Sequence, residues 1–219
     1  MFNIGIDGPS ASGKSTIAKA LAKKLNFTHI DTGAMYRAIA YDCIKNDIDL
    51  DDENACVTHA NQCKIELIGD NQIFLNDKNV TFSIRTEAIS KAASKISKYK
   101  GVRDKLVALQ QEIASQKGFV MDGRDITSVV LPDAEIKIYQ TADVSVRAKR
   151  RFYELVEKGH EIEYQDIYDD LVLRDENDMN RSESPLIKVK DAVEIDTTFL
   201  SIDESVDLIM SIIKDRGLV

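Results

Sequence analysis

Gly8, Gly13, Lys14 and Ser15 stand at the spacing glycine, four residues, glycine, lysine, serine, a pattern whose chemistry is the cradling of nucleotide phosphates. Glycines let backbone N–H groups turn inward. A helix starting near Lys14 would aim its positive end at the same point, so anions are stabilised there. Over Gly8-Pro9-Ser10-Ala11-Ser12-Gly13-Lys14-Ser15 and the following Thr16, the expectation is an ATP-binding loop. In it Lys14 reaches the β- and γ-phosphates and the Ser15 hydroxyl ligates the accompanying Mg²⁺. An ordinary turn carrying a lysine is the competing reading, and the flanks, strand before and helix after, speak for the loop.

Four further clusters combine charge with a place where it could act. Asp31-Thr32-Gly33-Ala34-Met35-Tyr36-Arg37 follows a short apolar run. At the C-terminal end of a parallel strand, Asp31, Thr32 and Arg37 would help hold a substrate, unless they are only a helix cap and a surface arginine. Asp122-Gly123-Arg124-Asp125 ends another apolar run. Asp122 resembles the acid that completes Mg²⁺ binding in phosphate-loop enzymes, and an internal salt-bridge cluster reads the same residues structurally. Arg147, Arg150 and Arg151 share one helical face, either as a lid clamping a transferring phosphoryl group or as a solvated face. Arg174, Asp178 and Arg181 present cation, anion and cation. That order suits a sugar hydroxyl beside a phosphate, or a network of ion pairs within the helix.

The elements that must position these groups follow from periodicity. Phe2, Ile4 and Ile6 alternate as a strand, and Ile17, Ala18, Ala20, Leu21 and Leu25 recur at helical spacing. Further strands are predicted over 27–30, 118–121, 135–139 and 192–195. Helices are predicted after Asp31, over 86–97, 102–113 and 165–179, from Asp143 up to a break at Lys158-Gly159-His160, and at the C-terminus. Residues 47–53 read as an acidic loop. After them an antiparallel meander is expected: 64–68, a turn at Gly69-Asp70-Asn71, 73–75, and 80–82 after Asn76-Asp77-Lys78-Asn79. The expected fold is α/β, a parallel sheet of about five strands flanked by helices. It forms one domain over 1–219, with an insert over 47–100 containing the meander and a lid over 147–165.

The 43% hydrophobic content suffices for a core, and the formal charge of −8 argues against nucleic-acid polymer as the main partner. Cys43, Cys56 and Cys63 contain no Cys-x-x-Cys pair, and His29, His59 and His160 are dispersed, so neither zinc nor disulfides are expected. With no leader pattern and no apolar run long enough to span a bilayer, a cytoplasmic location with no membrane partner is expected.

Four of these motifs, the loop with Asp7 before it, 31–37, 122–125 and Arg174-Asp175 through Asn180-Arg181, resemble in order those of the bacterial cytidylate kinases, within the nucleoside monophosphate kinases. The 64–82 meander is similar to that family's enlarged monophosphate-binding insert. The resemblance implies a phosphate-loop kinase fold and transfer of the ATP γ-phosphoryl group to CMP or dCMP, with Mg²⁺, in a monomer. It implies that Thr32, Arg37, Arg124 and Arg181 hold the acceptor's phosphate and sugar, joined by Arg174, and that Asp178 contacts the sugar hydroxyls. Ser94, Arg103 and Asp125 would read the cytosine, and Lys14, Arg124, Arg147, Arg150 and Arg151 would serve the transfer. One departure stands out: the family usually places Gly-Thr after Asp125-Ile126, where this chain has Thr127-Ser128, a bulkier turn. UMP is the alternative acceptor. A GTPase switch is the rival of another class, but the chain contains no Asn-Lys dipeptide and no Asp-x-x-Gly.

Overall fold

The computed structural model describes residues 1–68 and 72–219. Five strands, β1 (Ile4–Asp7), β2 (Thr28–Asp31), β6 (Phe119–Gly123), β7 (Ile136–Thr141) and β8 (Val193–Asp196), form a parallel sheet in the order β2-β6-β1-β7-β8. Helices cover both faces, which is why β1 is buried along its whole length. Ile4, Ile6, Val120, Ile136 and Ile138 pack against Ile17 and Leu21 of α1 (Lys14–Leu25) and against Ile209 and Ile213 of α8 (Ile202–Asp215). Parallel register sets the site: Asp7 lies opposite Gly123, and Asp31 opposite Asp122. The polar ends of β1, β2 and β6 are thereby brought side by side, outside the C-terminal edge where open α/β sheets bind ligands.

A second core surrounds α2 (Thr32–Lys45), α3 (Glu53–Gln62), α4 (Glu87–Ile96) and the start of α5 (Lys100–Ala114). An antiparallel sheet of β3 (Ile65–Ile68), β4 (Gln72–Leu75) and β5 (Lys78–Asn79) packs on it through Ile65, Ile73 and Leu75. A satellite cluster joins α6 (Val144–Glu157) to α7 (Tyr164–Asn180) through Ala148, Leu155, Ile167 and Leu171. Among the described residues no helix is long and apolar enough to cross a membrane.

Two sequence expectations are corrected. The third meander strand is Lys78–Asn79 rather than 80–82, because Asn76 and Asp77 both take positive φ (48° and 63°) and close a two-residue turn. Pairing therefore begins at Lys78, opposite Leu75, and the chain leaves the ladder for a 3₁₀ turn at Ser83–Arg85. Helix α3 was not predicted: it buries only Cys56 and Ala60, too little for an apolar stripe, and is started by Asp52 accepting from the Ala55 N–H at 3.0 Å. The expected turn at Gly69-Asp70-Asn71 lies outside the described residues.

Candidate functional site

From Asp7 the chain turns through the loop into α1. A side chain at Gly8 is excluded, since a Cβ there would stand 1.9 Å from the Gln140 carbonyl oxygen, and Gly13 takes φ +89°. The loop is pinned from outside. Gln140 Nε2 and Thr197 Oγ1 donate to the Ser12 carbonyl at 2.5 and 3.3 Å, and Arg147 Nη1 donates to the Ser10 carbonyl at 3.1 Å. Lys14 lies inside the loop, its Nζ 2.6 Å from the Pro9 carbonyl and 3.4 Å from Ser12 Oγ. Burial, and then the like charge of Arg124, push its ammonium well below the usual lysine range.

Beside Lys14, the Ser15 hydroxyl donates to Asp122 Oδ2 at 2.6 Å, His29 Nε2 lies 2.6 Å from Asp122 Oδ1, and Thr32 Oγ1 donates to the Asp122 carbonyl at 2.7 Å. Burial alone would raise the Asp122 carboxyl, but the bonds from His29 and Ser15 outweigh it and hold Asp122 below its ordinary value. A hydroxyl and an ionised carboxylate, both hard oxygen donors, thus meet at the mouth of an anion cradle, a donor set that suits Mg²⁺. Asp7, one strand over, accepts from Ile126 N–H, Thr127 N–H and the Thr127 hydroxyl at 2.7, 2.7 and 2.6 Å. The bulk expected to disturb this turn is accommodated: the Thr127 hydroxyl is satisfied by Asp7, and its methyl group lies over Gly5, which has no Cβ to meet it.

Across an open cleft of about 1560 Å³ stand the arginines. Arg124 donates from Nε to Asp178 Oδ2 at 2.7 Å and from Nη2 to Ser10 Oγ at 2.6 Å, joining α7 to the loop. Arg103 forms a buried ion pair with Asp125 and lies over the Tyr36 ring, 5.4 Å from its centroid. Arg37 pairs with Asp31 at 2.7 Å, and Asp31 also caps α2 by accepting from the Ala34 N–H. Asp31 is therefore both cap and partner of a cleft arginine. Arg37 Nε, Arg103 Nε, Arg174 Nε and Arg181 Nη2 are buried without a hydrogen-bond partner, and all four residues line the cleft. Burial and the nearby Arg124 lower Arg174 to about 10. Thr32, Ser94, Asp125 and Asp178 line the same cleft.

The structure redistributes two of the predicted groups. Arg150 and Arg151 line the cleft, with Arg150 Nη2 2.6 Å from the Thr197 carbonyl and Arg151 2.9 Å from Glu154. Arg147 does not share their place: Asp175 of α7 offers a buried carboxylate at 2.6 Å, so Arg147 turns under the loop instead of toward a clamped group. Asp178 takes Arg124 as its close partner, while Arg181 stands 3.9 Å away. The sequence assigns no site role to His29, which meets Asp122, or to Asp175, Gln140 and Thr197, which touch the loop, because each reaches its partner from an element whose pairing only the fold defines.

A family model described as cytidylate kinase matches residues 4–215. A cytidylate kinase of Caldicellulosiruptor bescii is 46% identical over 214 residues, covering 96% of this chain and 95% of that protein. A cytidylate kinase of Bacillus subtilis is 45% identical over 219 residues, covering 99% of this chain and 98% of that one. Among solved structures, an uncharacterized protein from Eubacterium ventriosum matches with a TM-score of 0.54 at 14% identity, covering 98% of both chains, a likeness of fold alone.

Proposed function

The chain belongs to the cytidylate kinase family, and from that premise we propose that it transfers the γ-phosphoryl group of ATP to CMP or dCMP, giving ADP and CDP or dCDP. The observation that carries this reading is the set of four arginines that line one cleft together with the phosphate loop, each keeping a buried guanidinium N–H without a partner. Buried donors without acceptors are costly, and a second phosphate group, the acceptor's, supplies the acceptors they lack.

In this reading Lys14 exchanges the Pro9 carbonyl and Ser12 hydroxyl for β- and γ-phosphate oxygens, and its charge gains value because the loop is buried. Ser15 and Asp122 would hold Mg²⁺, which when bound neutralises charge on the β- and γ-oxygens. On the acceptor side, Arg37, Arg174 and Arg181 hold the CMP phosphate, Thr32 and Asp178 hold phosphate and sugar, and Ser94, Arg103 and Asp125 face the base. Arg124 touches both sides through Ser10 and Asp178, so it can align donor and acceptor phosphates in line. Arg150 and Arg151 follow the moving phosphoryl group from α6, whereas Arg147 acts through the loop it holds. Residues 47–100 serve as the acceptor-binding insert and 147–165 as the lid. The insert meets the helix that follows the lid where Lys91 of α4 pairs with Asp170 of α7 at 3.0 Å, a contact whose tightening would draw insert and lid together and exclude water from the transfer.

Thermal unfolding with CMP alone tests the acceptor site. At a hundred times its Kd, CMP stabilises the fold by about 2.7 kcal/mol, seen as a rise in Tm of several degrees. A Tm that responds to AMP or GMP and not to CMP would contradict the reading.

A further inference from the structure

Sequence spacing predicts no zinc site, but the fold assembles one set of ligands that the spacing hides. Asp42 lies near the C-terminal end of α2, and α3 returns alongside it with His59 in its last turn and Cys63 as its C-cap, four residues apart. His59 Nε2 is 3.0 Å from Asp42 Oδ2, Cys63 Sγ is 3.3 Å from the same oxygen, and the three ligand atoms lie within 4.8 Å of one another.

We propose that Asp42, His59 and Cys63 bind one Zn²⁺ ion that fastens α3 to α2, separate from the Mg²⁺ of the phosphate loop. The donor set is the first argument: imidazole, thiolate and carboxylate together suit zinc, whereas Mg²⁺ takes oxygen donors alone. Geometry is the second. Zinc at about 2.0–2.1 Å from nitrogen and oxygen and about 2.3 Å from sulfur sets neighbouring ligand atoms about 3.3–3.6 Å apart. The two observed edges reach that range by opening a few tenths of an ångström. Asp42 and Cys63 are buried, while the His59 side chain keeps 16% exposure, which leaves the fourth position to water. Binding replaces the Cys63 thiol proton, released to solvent as the Sγ–Zn bond forms, and takes His59 as neutral imidazole.

The surroundings support a structural role. Lys105 Nζ donates to the carbonyls of Ala60 and Cys63, so α5 already fixes the backbone that carries the thiol. α3 buries only Cys56 and Ala60 of its own length, so a metal joining it to α2 would add to a small apolar contact. Asp42 lies ten residues beyond Thr32 on α2, about 15 Å along the helix from the nucleotide cleft.

The test titrates the purified, reduced protein with Zn²⁺ in saturating Mg²⁺ against a chromogenic chelator, and follows Co²⁺ binding by visible absorption. One equivalent of Zn²⁺ should bind and raise the Tm. Cys63→Ser and His59→Gln should each weaken binding at least about tenfold, and Cys63→Ser should abolish the thiolate-to-Co²⁺ charge-transfer band. Cys43→Ser should bind as the parent does. Circular dichroism and CMP turnover of each variant establish that it is folded. Zinc uptake no greater than that of the folded Cys63→Ser/His59→Gln double variant would overturn the proposal, as would zinc that is lost only on Asp122→Asn.

Discussion

Thr127 joins Asp7 twice, its N–H and its hydroxyl donating to Asp7 Oδ2 at 2.7 and 2.6 Å, so the turn after β6 is tied to the last residue of β1 at the root of the phosphate loop. Burial pushes Asp7 up from 3.8 to about 6, against the pull of those same bonds. Between 3.8 and about 6 the folded chain holds a proton that the unfolded chain releases. This group therefore contributes stability that is fully present below 3.8 and lost as the pH rises through about 6.

Thr127→Val keeps the methyl group over Gly5 and removes one bond to Asp7. At pH 7.5, where Asp7 is ionised, it should cost about 1.5–3 kcal/mol of stability. At pH 5, where Asp7 is largely protonated, the cost should fall to about half. Denaturant midpoints of both proteins at the two pH values check this, and equal losses at both would show that Asp7 does not change its protonation state between them.

Asp178→Asn weakens the anchor that holds Arg124 between α7 and Ser10. The acceptor side should suffer first: the KM for CMP should rise about tenfold, while the KM for ATP moves less than about twofold. An unchanged CMP KM in the folded variant would reduce Asp178 to a structural ion pair.

Arg174→Met removes a buried cation with an unpartnered Nε beside Arg124. The ligand-free protein should become more stable, with Tm rising by a degree or more, while the CMP KM rises at least tenfold; sites often hold such opposed effects. A variant that loses stability and keeps its CMP KM would contradict the assignment of Arg174 to the acceptor phosphate.

Much of this was legible in the sequence because it depends on local order. Gly8 to Ser15 needs only a strand before it and a helix after it, and the end of an apolar run placed Asp31 and Asp122 at the sheet's C-terminal edge. What escaped depends on which elements lie side by side. His29 meets Asp122 through the register of β2 with β6. Arg147 was separated from Arg150 and Arg151 by Asp175 on another helix. The cluster of Asp42, His59 and Cys63 needs α3, a helix with too small a buried face to register in the periodicity.

Asp125→Asn tests base selection. Asp125 lines the cleft while paired with Arg103, so cytosine's exocyclic amine would add a donor to a carboxylate already held in place. An amide can rotate to donate toward uracil's oxygen. The CMP over UMP preference in kcat/KM should shrink about ten- to a hundredfold, about 1.4–2.7 kcal/mol. Equal losses on both bases would move selectivity elsewhere and leave Asp125 as the partner that orients Arg103.

Phosphoryl transfer from ATP to a cytidine monophosphate is measured most directly as ADP release with ATP and Mg²⁺ against CMP, dCMP, UMP, AMP and GMP in turn. The predicted result is kcat/KM for CMP or dCMP at least about a hundredfold above that for AMP or GMP, with Lys14→Ala lowering kcat by more than about tenfold. Transfer confined to AMP or GMP, or ADP release indifferent to any monophosphate, would contradict it.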